Sequence, residues 1–286
     1  AVRRFDKVAA VRLRSDFYAA YPNDILAEQQ SMIVSTMDDV LDRLGQAWLA
    51  KAPLSASGQR RVRLDHATAE SWLRRQVQLG PVVVEPWYER CADLSVQLQV
   101  DDEGARSLGV SRFWTAANGS YRGAVLGSWS AGLPSEVLRE IHGGGKQSHV
   151  NQALVDMGVF VGSWLHREGY RGPAGIDAMV VKTPRGIRLV PILEINARHT
   201  MGRIALALHK QTGARGGWFF VTDKMLKSAG YSDRSAFIDA VYAQSGLVFT
   251  TDPDKAMHSL TVMSIAKSWQ DARAQWESIG MSWPEA

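Results

Sequence analysis

Over 24–49, Ile25, Leu26, Met32, Ile33, Val40, Leu41 and Leu44 recur at helical spacing, with Asp38, Asp39, Asp42 and Arg43 on the other side. The pattern predicts one or two helices there. A short strand is expected at 47–52 and a small, flexible tip at 53–59. Arg61, Val62, Arg63 and Leu64 then alternate as the second arm of a hairpin. Ala67, Ala69, Trp72, Leu73 and Val77 mark one buried stripe of a helix at 66–78. Val82, Val83 and Val84 read as a strand that ends at Pro86, where pairing stops and a hinge is expected. Leu94, Val96, Leu98 and Val100 alternate with period two. The turn at 101–104 returns the chain through Val110, Phe113 and Trp114 as an antiparallel partner. A helix is expected over 148–168, and strands at 176–181 and 187–196 flank a turn at 183–186. From 213 onward the pattern is one of short strands and helices, and no repeat of 20–50 residues is visible.

With 286 residues, 45% of them hydrophobic and 22% charged, the chain has the composition of a globular protein rather than a fibrous or disordered one. At about 150 residues per domain it holds one large domain or two modest ones. Its 33 basic and 29 acidic residues are interspersed, so nothing demands nucleic acid. No apolar run approaches the ~20 residues of a membrane span. One cysteine, Cys91, excludes an internal disulfide framework and suits a reducing, cytoplasmic compartment. The chain opens on Ala1 without an apolar leader region, as a segment of a longer product would.

Several catalytic patterns are missing: no His-Glu-x-x-His, no paired cysteines for zinc and no Gly-x-Ser-x-Gly. Gly143 to Ser148 lacks the first glycine and the final hydroxyl position of a phosphate loop. Ser264 and Lys267 stand at Ser-x-x-Lys spacing without companion motifs, and read as structural.

The strongest local signal is Glu194-Ile195-Asn196-Ala197-Arg198. On a strand, alternate residues share a face, so Glu194, Asn196 and Arg198 point the same way. A four-residue loop at 184–187 sets Thr183 opposite Arg188 and Asp177 opposite Glu194, whereas a shorter loop offsets them by a residue or two. Two adjacent carboxylates repel unless a cation lies between them. Mg²⁺, which takes few carboxylates and bridges phosphate oxygens, suits Asp177, Glu194 and Asn196, leaving Arg198 for a phosphate. A polar sheet rim with Arg198 neutralising the acids has the same pattern. Lys51 closes a strand before Ser55, Ser57 and Gly58, so a fixed amine and a loop of N–H and hydroxyl donors face the same way. An exposed lysine beside an ordinary turn is the other reading. Glu85 and Tyr88 follow the valine strand, whose backbone can meet an adenine edge, and Asp93 can accept ribose hydroxyls.

In this order and spacing, the lysine and hairpin, the Val-Val-Val-Glu strand, Gly-Ile-Asp and Leu-Glu-Ile-Asn-Ala-Arg together resemble the ATP-grasp superfamily, over roughly residues 7–201. The resemblance implies an α+β fold in which two α+β subdomains with antiparallel sheets clamp a nucleotide: residues 1–80, then 81–210, followed by an extension at 211–286. It implies ATP and Mg²⁺ as cofactors. Lys51 contacts the α-phosphate, 55–58 form the flap, and Lys7, with Arg4 as the close competitor for the role, meets phosphate. Glu85 and Tyr88 lie at adenine and Asp93 at ribose. Asp177, Glu194 and Asn196 bind metal, and Arg198 steadies the transferred phosphoryl group. The implied activity is a carboxylate–amine ligase with small-molecule substrates. A kinase on the same fold and a non-catalytic nucleotide-binding subunit are the alternatives. Departures are the single flap glycine, an aspartate as first metal ligand, and no N-terminal α/β domain: either the chain is a fragment of a longer protein, or the acceptor is bound by the tail or by a partner chain, and a homo-oligomer is a separate option. Arg122 and Lys146 are further phosphate or acceptor candidates. His199 is a lesser one, and Cys91 and the ten tryptophans read as packing.

Overall fold

Residues 5–54, 60–116, 119–142 and 149–284 are described by a computed structural model. By its contacts the chain divides into Ala1–Leu108 with Ser135–Thr200, and Gly109–Pro134 with Met201–Ala286.

In the first unit, helix α1 (Lys7–Ala20) begins at Asp6, whose carboxylate accepts from the Ala9 N–H at 2.9 Å. The sequence pattern assigns nothing here, because Lys7 and Arg14 are buried beside Val8, Val11, Leu13 and Phe17. Charged residues on the inner face blur the apolar stripe from which a helix is read. The segment expected to be helical at 24–49 has no α-helix and is instead short strand, turn and irregular backbone. It holds strand β1 (Met32–Val34) and one 3-10 turn at Leu41–Arg43. One long-range and one local feature account for this. Met32, Ile33 and Val34 pair with Val84, Val83 and Val82. Asn23 and Asp39 turn their side-chain oxygens onto the N–H groups of Ile25, Ser35 and Thr36, offering the backbone an alternative to a helix.

Strands β2 (Trp48–Lys51) and β3 (Arg61–Arg63) form the expected hairpin, followed by α2 (Ala69–Val77) and β4 (Val82–Pro86). The four strands make a sheet of order β1-β4-β2-β3. Val82, Val83 and Val84 are all buried because both faces of β4 are covered, Val83 by Val8 and Val11 of α1 and Val82 and Val84 by the core under α2, which explains the unbroken valine run. Val34, Ala50, Leu64, Leu73, Val82 and Val84 form its core under α2.

Strand β5 (Glu89–Asp101) turns tightly into β6 (Gly104–Thr115). Helices α3 (Ser135–His142) and α4 (His149–Arg167) precede the hairpin β8 (Gly172–Thr183) and β9 (Gly186–Asn196); β8 lies antiparallel to both β5 and β9. The glycines at 172 and 175, expected to precede the strand, lie inside it. The hairpin loop is two residues, Pro184 and Arg185, with Thr183 opposite Gly186. Continued unchanged, that register would set Ile192 opposite Asp177. A bulge around Pro191–Leu193 advances it by two, so Asp177 meets Glu194 after all. Ile192 stands there at φ 50, a left-handed backbone that β-branched residues avoid at a cost of about 1–3 kcal/mol.

In the second unit, the end of β6 pairs with β7 (Tyr121–Leu126). From there β7, β10 (Gly216–Val221), β12 (Leu260–Ser264) and β11 (Leu247–Phe249) follow in antiparallel order. Helices α5 (Met201–Thr212), α6 (Asp223–Ser228), α7 (Arg234–Ala243) and α8 (Trp269–Ser278) complete it. Trp114, Phe219, Phe237, Trp276 and Trp283 share one aromatic core, with Phe219 and Trp276 stacked at 4.0 Å.

Candidate nucleotide and metal site

Lys7, Lys51, Glu85, Tyr88, Asp93, Asp177, Glu194, Asn196 and Arg198 all lie in the first unit. Lys51 ends β2 and Glu85 sits diagonally across on β4, and the lysine ammonium donates to Glu85 Oε1. Glu85 is only 4% exposed. Burial pushes its carboxyl up, but the nearby Lys51 and Arg14 charges outweigh this and hold it below the usual glutamate range. Arg14, 1% exposed, reaches Glu85 Oε2 at 3.9 Å. Tyr88 packs beside Ala27, Met179, Val181 and Val190; burial first, then the Glu85 charge, push its hydroxyl up to about 12. Asp93, buried on β5, accepts from Arg90 Nη1 at 2.8 Å.

The second group lies on the β8–β9 hairpin. Asp177 and Glu194 stand directly opposite each other. Asn196 Nδ2 donates to Asp177 Oδ2 at 3.0 Å, and Arg198 Nη2 donates to Asn196 Oδ1 at 3.1 Å. The strand stops at Asn196, and a turn with Arg198 N–H on Asn196 O carries the guanidinium. Lys7 Nζ donates to Glu194 Oε1 at 3.0 Å, which joins the start of α1 to the hairpin. Burial, followed by the Glu194 charge, pushes the Asp177 carboxyl up to about 7.

A polar chain leads to Asp177 through the buried Gln97 and Ser95: the half-buried Thr200 Oγ1 donates to Gln97 Oε1 at 2.5 Å, and Gln97 Nε2 donates to Ser95 Oγ at 2.8 Å. Ser95 hydrogen-bonds Asp177 in turn. Gly175 makes room, since a Cβ there would sit 2.7 Å from Thr200 Cγ2.

Among the described residues no cluster of three or more His, Cys, Asp or Glu side chains is poised for a metal. The set Asp177, Glu194 and Asn196 fits Mg²⁺ rather than zinc: two carboxylates and an amide leave room for waters and phosphate oxygens.

Ser55, Ser57 and Gly58 lie outside the described residues, as do Arg4 and Lys146. Arg122 belongs to the second unit, its Nη1 on Met225 Sδ at 2.7 Å. His199 is exposed, and Cys91 is half-buried with its thiol pushed up by burial. Sequence reasoning missed Arg14, Arg90, Ser95, Gln97 and Thr200. The alternation of Ser95, Gln97 and Gln99 with apolar residues announced a polar face of β5, but not that Ser95 and Gln97 would be buried.

The pH dependence of stability tests the Asp177 environment. Because its folded pKa is raised, the carboxyl favours the folded state at low pH, and this contribution is lost as pH rises from the ordinary aspartate range through about 7. Asp177→Asn, which carries no charge, is expected to unfold at a higher temperature than the parent at pH 8. The difference should narrow toward pH 5 in metal-free thermal unfolding.

No protein-family model matches the chain, and no curated protein does. Solved structures do match. An N5-carboxyaminoimidazole ribonucleotide synthetase in complex with ADP is 11% identical over 96% of this chain and 70% of its own, with a TM-score of 0.61. The Staphylococcus aureus N5-carboxyaminoimidazole synthetase with ADP is 8% identical over 96% and 71%, TM-score 0.60. The biotin carboxylase domain of Hydrogenobacter thermophilus 2-oxoglutarate carboxylase, with MgADP, ADP and bicarbonate, is 12% identical over 96% and 64%, TM-score 0.56. The fold is therefore the ATP-grasp fold. Among the described residues no helix is long and apolar enough to cross a membrane.

Proposed function

We propose, from the ATP-grasp fold and the site it carries, that this chain is an ATP- and Mg²⁺-dependent ligase that activates a small carboxylate as an acylphosphate and joins it to an amine. The observation that carries the reading is the meeting of Asp177, Glu194, Asn196 and Arg198 on one hairpin, with Lys7 reaching it from α1. The ADP, MgADP and bicarbonate bound to structural neighbours support it.

Mg²⁺ held by Asp177, Glu194 and Asn196 would neutralise the phosphates' negative charge. Lys51, fixed by Glu85, offers an ammonium to phosphate, and Lys7 can leave Glu194 for the same purpose once another cation balances the acids. Tyr88, beside the valine strand, would border the adenine, and Asp93 would take the ribose hydroxyls once Arg90 yields. The flap role of Ser55, Ser57 and Gly58 belongs to the same proposal. Arg198, exposed at the strand end, meets charge on the transferred phosphoryl group, so the work of these residues is positioning and electrostatics. In this reading residues 1–80 carry Lys7, Lys51 and the flap, 81–210 the hinge, ribose and metal residues, and 211–286 are an extension. The compartment is cytoplasmic.

Phosphate release from ATP, measured against a panel of small acids and amines with bicarbonate among the acids, tests the proposal. Release that needs both an acid and an amine supports a ligase; a stable phosphorylated acid formed without amine contradicts it in favour of a kinase. Arg198→Ala is expected to slow phosphate release by about 10²–10³-fold, the usual loss of one transition-state donor.

A further inference from the structure

Arg14 is the one fully buried cation of α1, and it touches neither solvent nor the groups assigned to metal or phosphate. Its Nε and Nη2 both donate to the carbonyl of Ile192, at 3.2 and 2.9 Å, and its Nη1 donates to Ser31 Oγ at 2.5 Å. Ile192 is the residue in left-handed backbone at the β9 bulge, and its N–H points to Met157 Sδ at 3.4 Å, a weak acceptor. The bulge is thus a strained element anchored chiefly by a guanidinium fork, which grips a carbonyl more firmly than a single donor does.

The bulge has a consequence for the site. The two-residue hairpin loop on its own aligns Asp177 with Ile192, and the two-residue advance at the bulge alone brings Glu194 opposite Asp177. We infer that Arg14 is a positioning residue that locks the register of β9 and so creates the Asp177–Glu194 pair, while its charge on Glu85 ties that register to the Lys51 side of the site. The inference deepens the reading of these residues as a Mg-nucleotide site and rests on it for its functional consequence. The register itself can be observed without any ligand.

Two readouts test it. In Arg14→Met, cross-strand NOEs from Ile176 are expected to move from Ile195 to Leu193, the partner of the unbulged register; NOEs that stay at Ile195 overturn the inference. The second readout is the factor by which Mg²⁺ tightens ATP binding, taken as the ratio of Kd for ATP alone to Kd for Mg-ATP in the same variant. Supporting groups of a metal site typically contribute about 10–100-fold to metal affinity, and this factor is expected to fall by about tenfold or more in Arg14→Met. Tyr18→Phe, which removes a hydrogen bond from the same helix to Ala27 O, is the control: a lower Tm with an unchanged factor. Arg14→Met behaving like Tyr18→Phe would show Arg14 to be merely structural and overturn the inference. Adding Ile192→Gly to Arg14→Met, which removes the penalty for positive φ, is expected to restore much of the factor. If Arg14→Met does not fold, Arg14→Lys replaces the fork with one swivelling donor while keeping the charge beside Glu85. It should then show an intermediate factor, and a wild-type factor overturns the inference. A wild-type chain with no Mg²⁺ enhancement of ATP binding contradicts the site reading instead, and leaves the NOE result to decide the register on its own.

Discussion

Replacing Glu85 with alanine is expected to lower stability by about 3–5 kcal/mol, the range for breaking a buried ion pair from one side. Glu85 is the only carboxylate within salt-bridge distance of both Lys51 and Arg14 among the described residues. Its loss leaves an almost inaccessible guanidinium and a largely buried ammonium without their counter-charge. Lys51→Met probes the pair from the other side and has a distinct pH signature. In the parent chain the lowered pKa of Glu85 means that its contribution is present above the ordinary glutamate range, and is lost as pH falls through the folded value below it. Without Lys51, burial prevails and the Glu85 pKa rises. The variant's deficit should then be largest at neutral pH and shrink as acid protonates Glu85. Urea unfolding of both variants at pH 5 and pH 7.5 checks this; a Lys51→Met deficit independent of pH would contradict the assigned pairing.

The second large effect concerns the hairpin. Glu194→Ala combined with Asn196→Ala is expected to lower ligand-free stability by about 1–3 kcal/mol, since it removes the Asn196 hydrogen bond to the buried Asp177 carboxyl and the Glu194 partner of Lys7, and this lower value is the baseline for the ligand experiment. Stabilisation by Mg-ATP should behave differently. Occupying a native-state site at 100 times its Kd adds about 2.7 kcal/mol. The double variant should retain the part due to ATP alone and lose the part that depends on Mg²⁺. Thermal unfolding with ATP, Mg²⁺ or both separates the two, and an unimpaired Mg-dependent gain would remove these residues from the metal site.

Much of this site is visible in the sequence because its residues sit on strands, where spacing alone fixes the face. Glu194 and Asn196 are two apart and share a side, and the valine run marks a strand buried on both faces. From the sequence, Asp177 meets Glu194 if the loop has four residues and is offset from it if the loop is shorter; the loop has two residues, and a compensating bulge restores the pair. Nothing local in Pro191-Ile192-Leu193 announces a left-handed isoleucine, because the carbonyl that holds it open is gripped by a residue 178 positions away. Helix α1 was illegible for a related reason: the chemistry it carries, Lys7 and Arg14, lies on the face where a helix is recognised by its apolar residues. At 24–49 the apolar spacing suits a helix, but the asparagine and aspartate side chains turn the backbone out of one.

Calorimetric titration of the wild-type chain with ATP, at saturating Mg²⁺ and again in its absence, tests the central claim most directly. The account predicts one ATP bound per chain, markedly more tightly with Mg²⁺ than without. Absence of ATP binding under both conditions would mean that Lys51, Glu85, Asp177, Glu194 and Asn196 hold one another as a structural ion network rather than a nucleotide.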